Sequence, residues 1–307
     1  MQKPSVSSSG AWVKSLPDIR LIAVFFALVS GAFVMGCSGP GEETIGSSWN
    51  LSSDGSIRFT FPEVKVQESV TEKNDNLTVT DLMFKGFAGD VHAILVSPKK
   101  PIAFLIWAPG ANNPASGYLD YMKYYPAHDI AVLIMDVRGN GGLTPGYPMD
   151  IEQDAGLFVK GEWPQWYLIA ADMISAQQYI HRIFPSVPVY AVGDSNGGRY
   201  AALAAGSDPG FAGYMGISTS GFSHIGDQYA SPVREFLLSI DPEVQVSEII
   251  PRPVMIFHAP EDPVIPFEDG RALAGAAGDK AIFISFNGTH GGNREVDDHI
   301  ITFLQNS

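Results

Sequence analysis

The chain has 307 residues, 45% of them hydrophobic and 17% charged, with 32 glycines and a single cysteine. That apolar content excludes a disordered chain, and one cysteine excludes an intrachain disulfide framework or a thiolate metal cluster. The formal net charge is −14 without a long acidic run, and repulsion from phosphate argues against nucleic acid as a partner.

The first segment reads as an address. Lys3, Lys14 and Arg20 stand against Asp18, and an uncharged stretch then runs from Leu21 to Gly36 and stops at Cys37. Those sixteen residues fall short of the ~20 that a helix needs to cross a bilayer. A positive flank, a short apolar core and a small residue at its end are the marks of a secretory signal peptide. Val34-Met35-Gly36-Cys37 resembles the lipobox of prokaryotic lipoproteins. The resemblance implies that residues 1–36 are removed and that Cys37, lipidated, becomes the N-terminus of an exported protein held at the cell envelope. An uncleaved N-terminal anchor is the alternative. Residues 37–57 have linker composition and are expected to form a flexible tether, which leaves 58–307 as one folded domain.

From residue 58 onward, apolar runs alternate with helical patterns. Residues 77–87 and 91–97 read as a hairpin turning through Gly89-Asp90. Buried strands follow at 102–107, 131–135, 189–192, 213–217, 254–257 and 282–286. Helical patterns occupy 118–125, 166–183, 195–205, 267–277 and 294–304, with a shorter one at 233–240. This rhythm predicts an α/β fold: a mostly parallel central sheet with helices on both faces and a small cap or none. In such sheets ligands bind at the carboxyl ends of the strands, so reactive side chains just after strand ends carry the most information.

Three residues meet that condition. Ser195 lies in Gly193-Asp194-Ser195-Asn196-Gly197, between a strand and an Ala-rich helix. A chain reversing that sharply needs glycine on either side of the serine, where a Cβ would collide. A serine hydroxyl needs a base, and the base needs an orienting group. His290, in Gly288-Thr289-His290-Gly291, follows the last strand and has small neighbours. Asp262, in His258-Ala259-Pro260-Glu261-Asp262-Pro263, follows the strand between them and is preferred to Glu261 because the proline after it suits a fixed turn.

In these motifs, and in Asp136-Val137-Arg138-Gly139-Asn140-Gly141, the chain resembles α/β-hydrolase-fold enzymes over about residues 58–307. The entry through a hairpin is similar to dienelactone-hydrolase-like and prolyl-oligopeptidase-type catalytic domains. The resemblance implies a serine hydrolase with catalytic Ser195, Asp262 and His290. It also implies an oxyanion hole from the amides of Ala111 and Asn196, in a loop that reads Pro109-Gly110 where His-Gly is usual. No cofactor and no metal are called for. The expected substrate is a small or medium ester, which would make the chain a carboxylesterase. A peptidase of prolyl-oligopeptidase type, or a membrane-tethered binding protein on the same scaffold, are the alternatives. Residues 139–166 and 221–250 are candidates to cover the site. Arg138 and Arg199 could each hold a substrate carboxylate or tie down local structure.

Overall fold

A computed structural model describes residues 46–307; Cys37 and the signal-like segment lie outside the described residues. The strands are β1 (Ser48–Leu51), β2 (Ile57–Thr60), β3 (Lys65–Lys73), β4 (Thr78–Gly86), β5 (Gly89–Ser97), β6 (Ala103–Ala108), β7 (Ile130–Met135), β8 (Val189–Asp194), β9 (Gly213–Ile217), β10 (Val254–His258) and β11 (Ile282–Ser285). The helices are α1 (Leu119–Met122), α2 (Ile151–Val159), α3 (Gln165–Ile183), α4 (Asn196–Ser207), α5 (Val233–Ser239), α6 (Pro242–Ile249), α7 (Phe267–Ala276) and α8 (Arg294–Gln305).

Nine strands form one sheet in the order β11-β10-β9-β8-β6-β7-β5-β4-β3. Everything from β7 to β11 is parallel, while β5, β4 and β3 join antiparallel at one side. Strands β6 and β7 are buried at every position, as their unbroken apolar runs require when both faces are covered. Alternate residues serve opposite faces. Phe104, Ile106 and Ala108 join a core shared with α3, α4, α6 and α7, whereas Leu105 and Trp107 meet Met122 of α1 and Ile300 and Leu304 of α8. The α/β expectation therefore holds, with helices on both faces.

Four local expectations change. The hairpin turns at Phe87-Ala88, because Gly86 pairs with Gly89, so the bend falls two residues early. Strand β3 had no signal: it is a largely exposed edge, and its residues never alternate between apolar and polar. Helices α2 and α6 also had no counterpart in the sequence reading; both are short and start from an aspartate cap. Finally, the tether expected to run through residue 57 contains strand. Ser48–Leu51 pairs antiparallel with Ile57–Thr60, and Trp49 packs its ring against Trp163 at 5.2 Å, Tyr167 at 5.5 Å and Phe158 at 6.1 Å. Two strands alone are marginal in water, and this aromatic contact is what a linker reading of the composition misses.

The pair β1–β2 should therefore depend on Trp49. We expect Trp49→Ala to lower unfolding stability by about 2 kcal/mol, less than the full cost of a buried tryptophan because the ring is partly exposed. Urea titration checks this, and an unchanged midpoint would show that the contact adds nothing.

Candidate active site

Strand β8 ends at Asp194 and α4 begins at Asn196, so Ser195 alone makes the corner, at φ 53° and ψ −123°. A non-glycine residue pays for such a backbone, on the order of 1–3 kcal/mol, and keeps it only where surroundings enforce it. Here the enforcement is visible. The Ser195 amide donates to the Ile217 carbonyl at the end of β9, at 2.8 Å. A Cβ on Gly197 would stand 1.9 Å from the Ala108 carbonyl oxygen, and one on Gly193 would stand 2.4 Å from Gly197 backbone. Both glycines sit where the sequence demanded them.

Asp262 and His290 are brought together. The His290 Nδ1 lies 3.0 and 2.9 Å from the two Asp262 carboxylate oxygens. A carboxylate can only accept, so Nδ1 carries the proton and Nε2 is left as the base. Asp262 Oδ1 is held in turn by the amides of Val264 at 2.8 Å and Ile265 at 3.0 Å. Burial pushes the Asp262 carboxyl up, but these amides and the His290 imidazole outweigh it and hold it below the usual carboxylate range. Glu261, the alternative acid, is exposed. Ser195 is not joined to His290 by a hydrogen bond among the described residues, so the hydroxyl stands apart from the acid–imidazole pair in this structure.

The loop after β6 approaches the same corner. A Cβ on Gly110 would stand 3.4 Å from Ser195 Cβ and 2.8 Å from Asp194 Oδ2. The Ala111 amide donates to no backbone acceptor among the described residues, and the Asn196 amide, first in its helix, has no intrahelical acceptor. Both remain open to an outside oxygen.

Sequence reasoning passed over several residues that build this arrangement. Asp194, buried, accepts from Trp107 Nε1 at 2.9 Å, Tyr118 hydroxyl at 2.7 Å and the Gly110 amide at 3.2 Å, which ties the β6 loop to the corner. Its own burial pushes the Asp194 carboxyl upward against those bonds. Asn140 donates to the Gly110 carbonyl at 3.0 Å. His258, fully buried behind Asp262, donates from Nε2 to the Ile265 carbonyl at 3.0 Å and lies 3.5 Å from the Asp262 carboxylate. Asp194, Asn140 and His258 each fall inside a motif singled out in the sequence, but their roles depend on partners distant in the chain or on the fold of the loop.

Other candidates resolve differently. Arg138 is spent on structure: Nε and Nη2 grip Asp172 at 2.7 and 3.1 Å, and Nη1 donates to the Ala88 carbonyl. The aromatics of residues 139–166 pack mainly inward, Phe158 and Trp163 on Trp49 and Trp166 on Tyr200 at 4.5 Å. Two hollows of about 400 and 280 Å³ lie elsewhere, the first lined by His92 and Asp81, the second by His224 and Glu243. Among the described residues no group of His, Cys, Asp or Glu is placed to hold a metal ion, and no helix is long and apolar enough to cross a membrane.

With this geometry in hand, comparison with known proteins is direct. Residues 99–247 match the family described as serine aminopeptidase, S33, a span that contains Ser195 but neither Asp262 nor His290. The fold is that of the α/β hydrolases. Among solved structures, an acetyl xylan esterase from Paenibacillus sp. R4 superposes with a TM-score of 0.63 at 18% identity, covering 79% of this chain and 88% of that one. Acetyl xylan esterase 1 from Thermoanaerobacterium sp. JW/SL YS485 gives 0.60 at 20% identity, covering 80% and 88%. A glucuronoyl esterase from Solibacter usitatus gives 0.59 at 12% identity, covering 80% and 86%. Comparison with curated proteins finds no significant match.

The Asp262 environment fixes a pH response. A carboxyl whose folded pKa is depressed contributes stability that is fully present above its unfolded pKa, near 3.9, and is lost as pH falls through the folded value. Asp262→Asn should therefore lose stability less steeply than wild type below pH ~4. Parallel acid-unfolding curves would exclude this carboxylate as the source.

Proposed function

We propose that the chain is a serine hydrolase acting on carboxylic esters, with Ser195 as nucleophile, His290 as general base and Asp262 as the group that orients the imidazole. The observation that carries this reading is the strained corner at Ser195 together with the doubly hydrogen-bonded Asp262–His290 pair. Nothing else in the fold needs a serine at φ 53° beside a loop that presents open amides.

In the proposed sequence, Nε2 of His290 takes the Ser195 proton as Oγ attacks the ester carbonyl. The new C–O bond leaves the carbonyl oxygen negative, and the Ala111 and Asn196 amides donate hydrogen bonds to it; one such donor is worth about 3–4 kcal/mol in the transition state. Collapse expels the alcohol, protonated by His290. Water, deprotonated by the same imidazole, then releases the acid and restores Ser195. Asp262 stabilises the imidazolium without taking its proton. Formation of the Ser195–His290 hydrogen bond belongs to the substrate-bound state, since catalytic bonds tighten there.

Esters are favoured over amides because the three solved relatives named above are esterases. A peptidase is the second reading, supported by the description of the family matched at residues 99–247. A panel of p-nitrophenyl esters and aminoacyl amides separates the two. Ser195→Ala and His290→Ala should each reduce kcat by roughly a thousandfold or more, whichever substrate is turned over. Unchanged turnover in Ser195→Ala would end the mechanism.

We also propose export and lipid anchoring through Cys37, on the strength of the Val34-Met35-Gly36-Cys37 pattern. Two acyl chains hold a protein at a bilayer where one is marginal. Cys37→Ser should abolish the lipid mass and shift the protein to the soluble fraction. Retention at the membrane with no lipid on the wild-type N-terminus would favour the uncleaved anchor.

A further inference from the structure

Cations near the sheet are nearly all committed. Arg138 is paired with Asp172, and Arg252 donates to the carbonyls of Ala205, Asp208, Phe211 and Ile249. Arg199 differs. It lies in the first turn of α4, four residues after Ser195. Its guanidinium is held by Ser220, three residues beyond Ile217, whose carbonyl accepts from the Ser195 amide, so the end of β9 and the loop after it bring the two together.

Its donors are only half used. Nε donates to the Ser220 carbonyl at 3.2 Å, and Nη2 donates to the Ser220 hydroxyl at 2.9 Å. Phe222 covers one face, with Arg199 Cζ 4.8 Å from the ring centroid. Ser220 thus occupies the Nε–Nη2 edge and fixes the plane of the fork. The opposite end, between Nη1 and the second hydrogen of Nη2, has no acceptor among the described residues. No carboxylate there lies within ion-pair distance of Arg199. Asp241, whose carboxylate meets the 222–224 backbone, has its oxygens taken by the amides of Phe222, His224 and Glu243. The side chain is partly exposed, so an outside partner can reach it. Burial pushes its guanidinium pKa down, against the opposing charges of Asp241 and Asp269.

We propose that Arg199 is a specificity-determining residue whose free Nη1–Nη2 end receives a carboxylate carried by the substrate, so that the preferred esters bear a free carboxylate a short chain away from the scissile carbonyl. The inference rests on the reading of Ser195 as nucleophile. A planar fork already held at one edge matches a carboxylate with two parallel bonds and loses little freedom on binding it. Asp241, Glu243 and Asp269 lie in the same region and repel anions in general. A ligand gains only by meeting the fork directly, which makes the effect one of selectivity and not of attraction from afar.

The test compares p-nitrophenyl butyrate with mono-p-nitrophenyl glutarate as substrates for the whole protein. Wild type should favour the glutarate monoester in kcat/KM, and the ratio of glutarate to butyrate should fall at least tenfold in Arg199→Gln, mostly through KM. Arg199→Lys, which keeps the charge and loses the fork, should fall between. Free glutarate should also inhibit wild-type butyrate hydrolysis competitively, a readout that does not depend on the variants folding. Equal ratios in wild type and Arg199→Gln, or no inhibition by glutarate, would overturn the proposal while leaving the esterase reading intact. Absence of turnover on both esters, or turnover that survives Ser195→Ala, would instead overturn the esterase reading and this inference with it.

Discussion

The close seating of α4 on the ends of β6 and β8 is the constraint on which the rest of the site depends. Gly197 approaches the Ala108 carbonyl so closely that any side chain would collide, and Gly193 meets Gly197 in the same way. Only with both side chains absent can the helix begin one residue after the strand ends. Ser195 then has no relaxed conformation open to it, and the Ile217 carbonyl holds its amide in place. The stored strain, on the order of 1–3 kcal/mol, is offset by packing spread over Tyr200, Leu203 and the neighbouring sheet. A rigid interior thereby fixes the Ser195 side chain at its rim.

A second layer of order comes from buried carboxylates that act as hubs for backbone amides. Asp194 holds the loop after β6 through Gly110. Asp136, at the end of β7, accepts from the amides of Ala115 at 3.1 Å and Thr144 at 3.0 Å and from that of Leu143. His92 stands 3.6 Å from the same carboxylate, and Asp136 raises its pKa against the opposing effect of burial. The segment that carries Ala111 is therefore suspended between two anchored points, with Asn140 closing the span. An isolated carboxylate in such a place would be costly, and each of these is repaid by two or more donors.

Much of this was legible in the sequence, for identifiable reasons. Strands β6, β7 and β8 are covered on both faces and so appear as unbroken apolar runs. Ser195, Asp262 and His290 stand out as candidates because each follows a strand end within a glycine- or proline-marked turn. The acid–imidazole contact agrees with that reading, and the direct link to Ser195 is absent from this structure. Strand β3 could not be read, because an edge strand facing solvent has no core to impose a period on its residues. Helix α6 was hidden because eight residues carry too few turns to show a stripe. The pair β1–β2 was mistaken for tether, since its order comes from Trp49 meeting residues more than a hundred positions away. Asp194, though printed within the motif, betrays its role only through Trp107, Gly110 and Tyr118, all distant in sequence.

The two borders of the large sheet end in different ways, and the contrast bears on how the protein survives at high local concentration. On one side β3 carries Lys65, Glu68, Glu72 and Lys73, and its register slips between Val70 and Glu72. Charge and a bulge there make it a poor template for another chain's strand. On the other side β11 spans only Ile282–Ser285, too short to recruit a stable partner. Neither border invites extension. Molecules crowded together, as at a surface, would meet through side chains and not by merging their sheets.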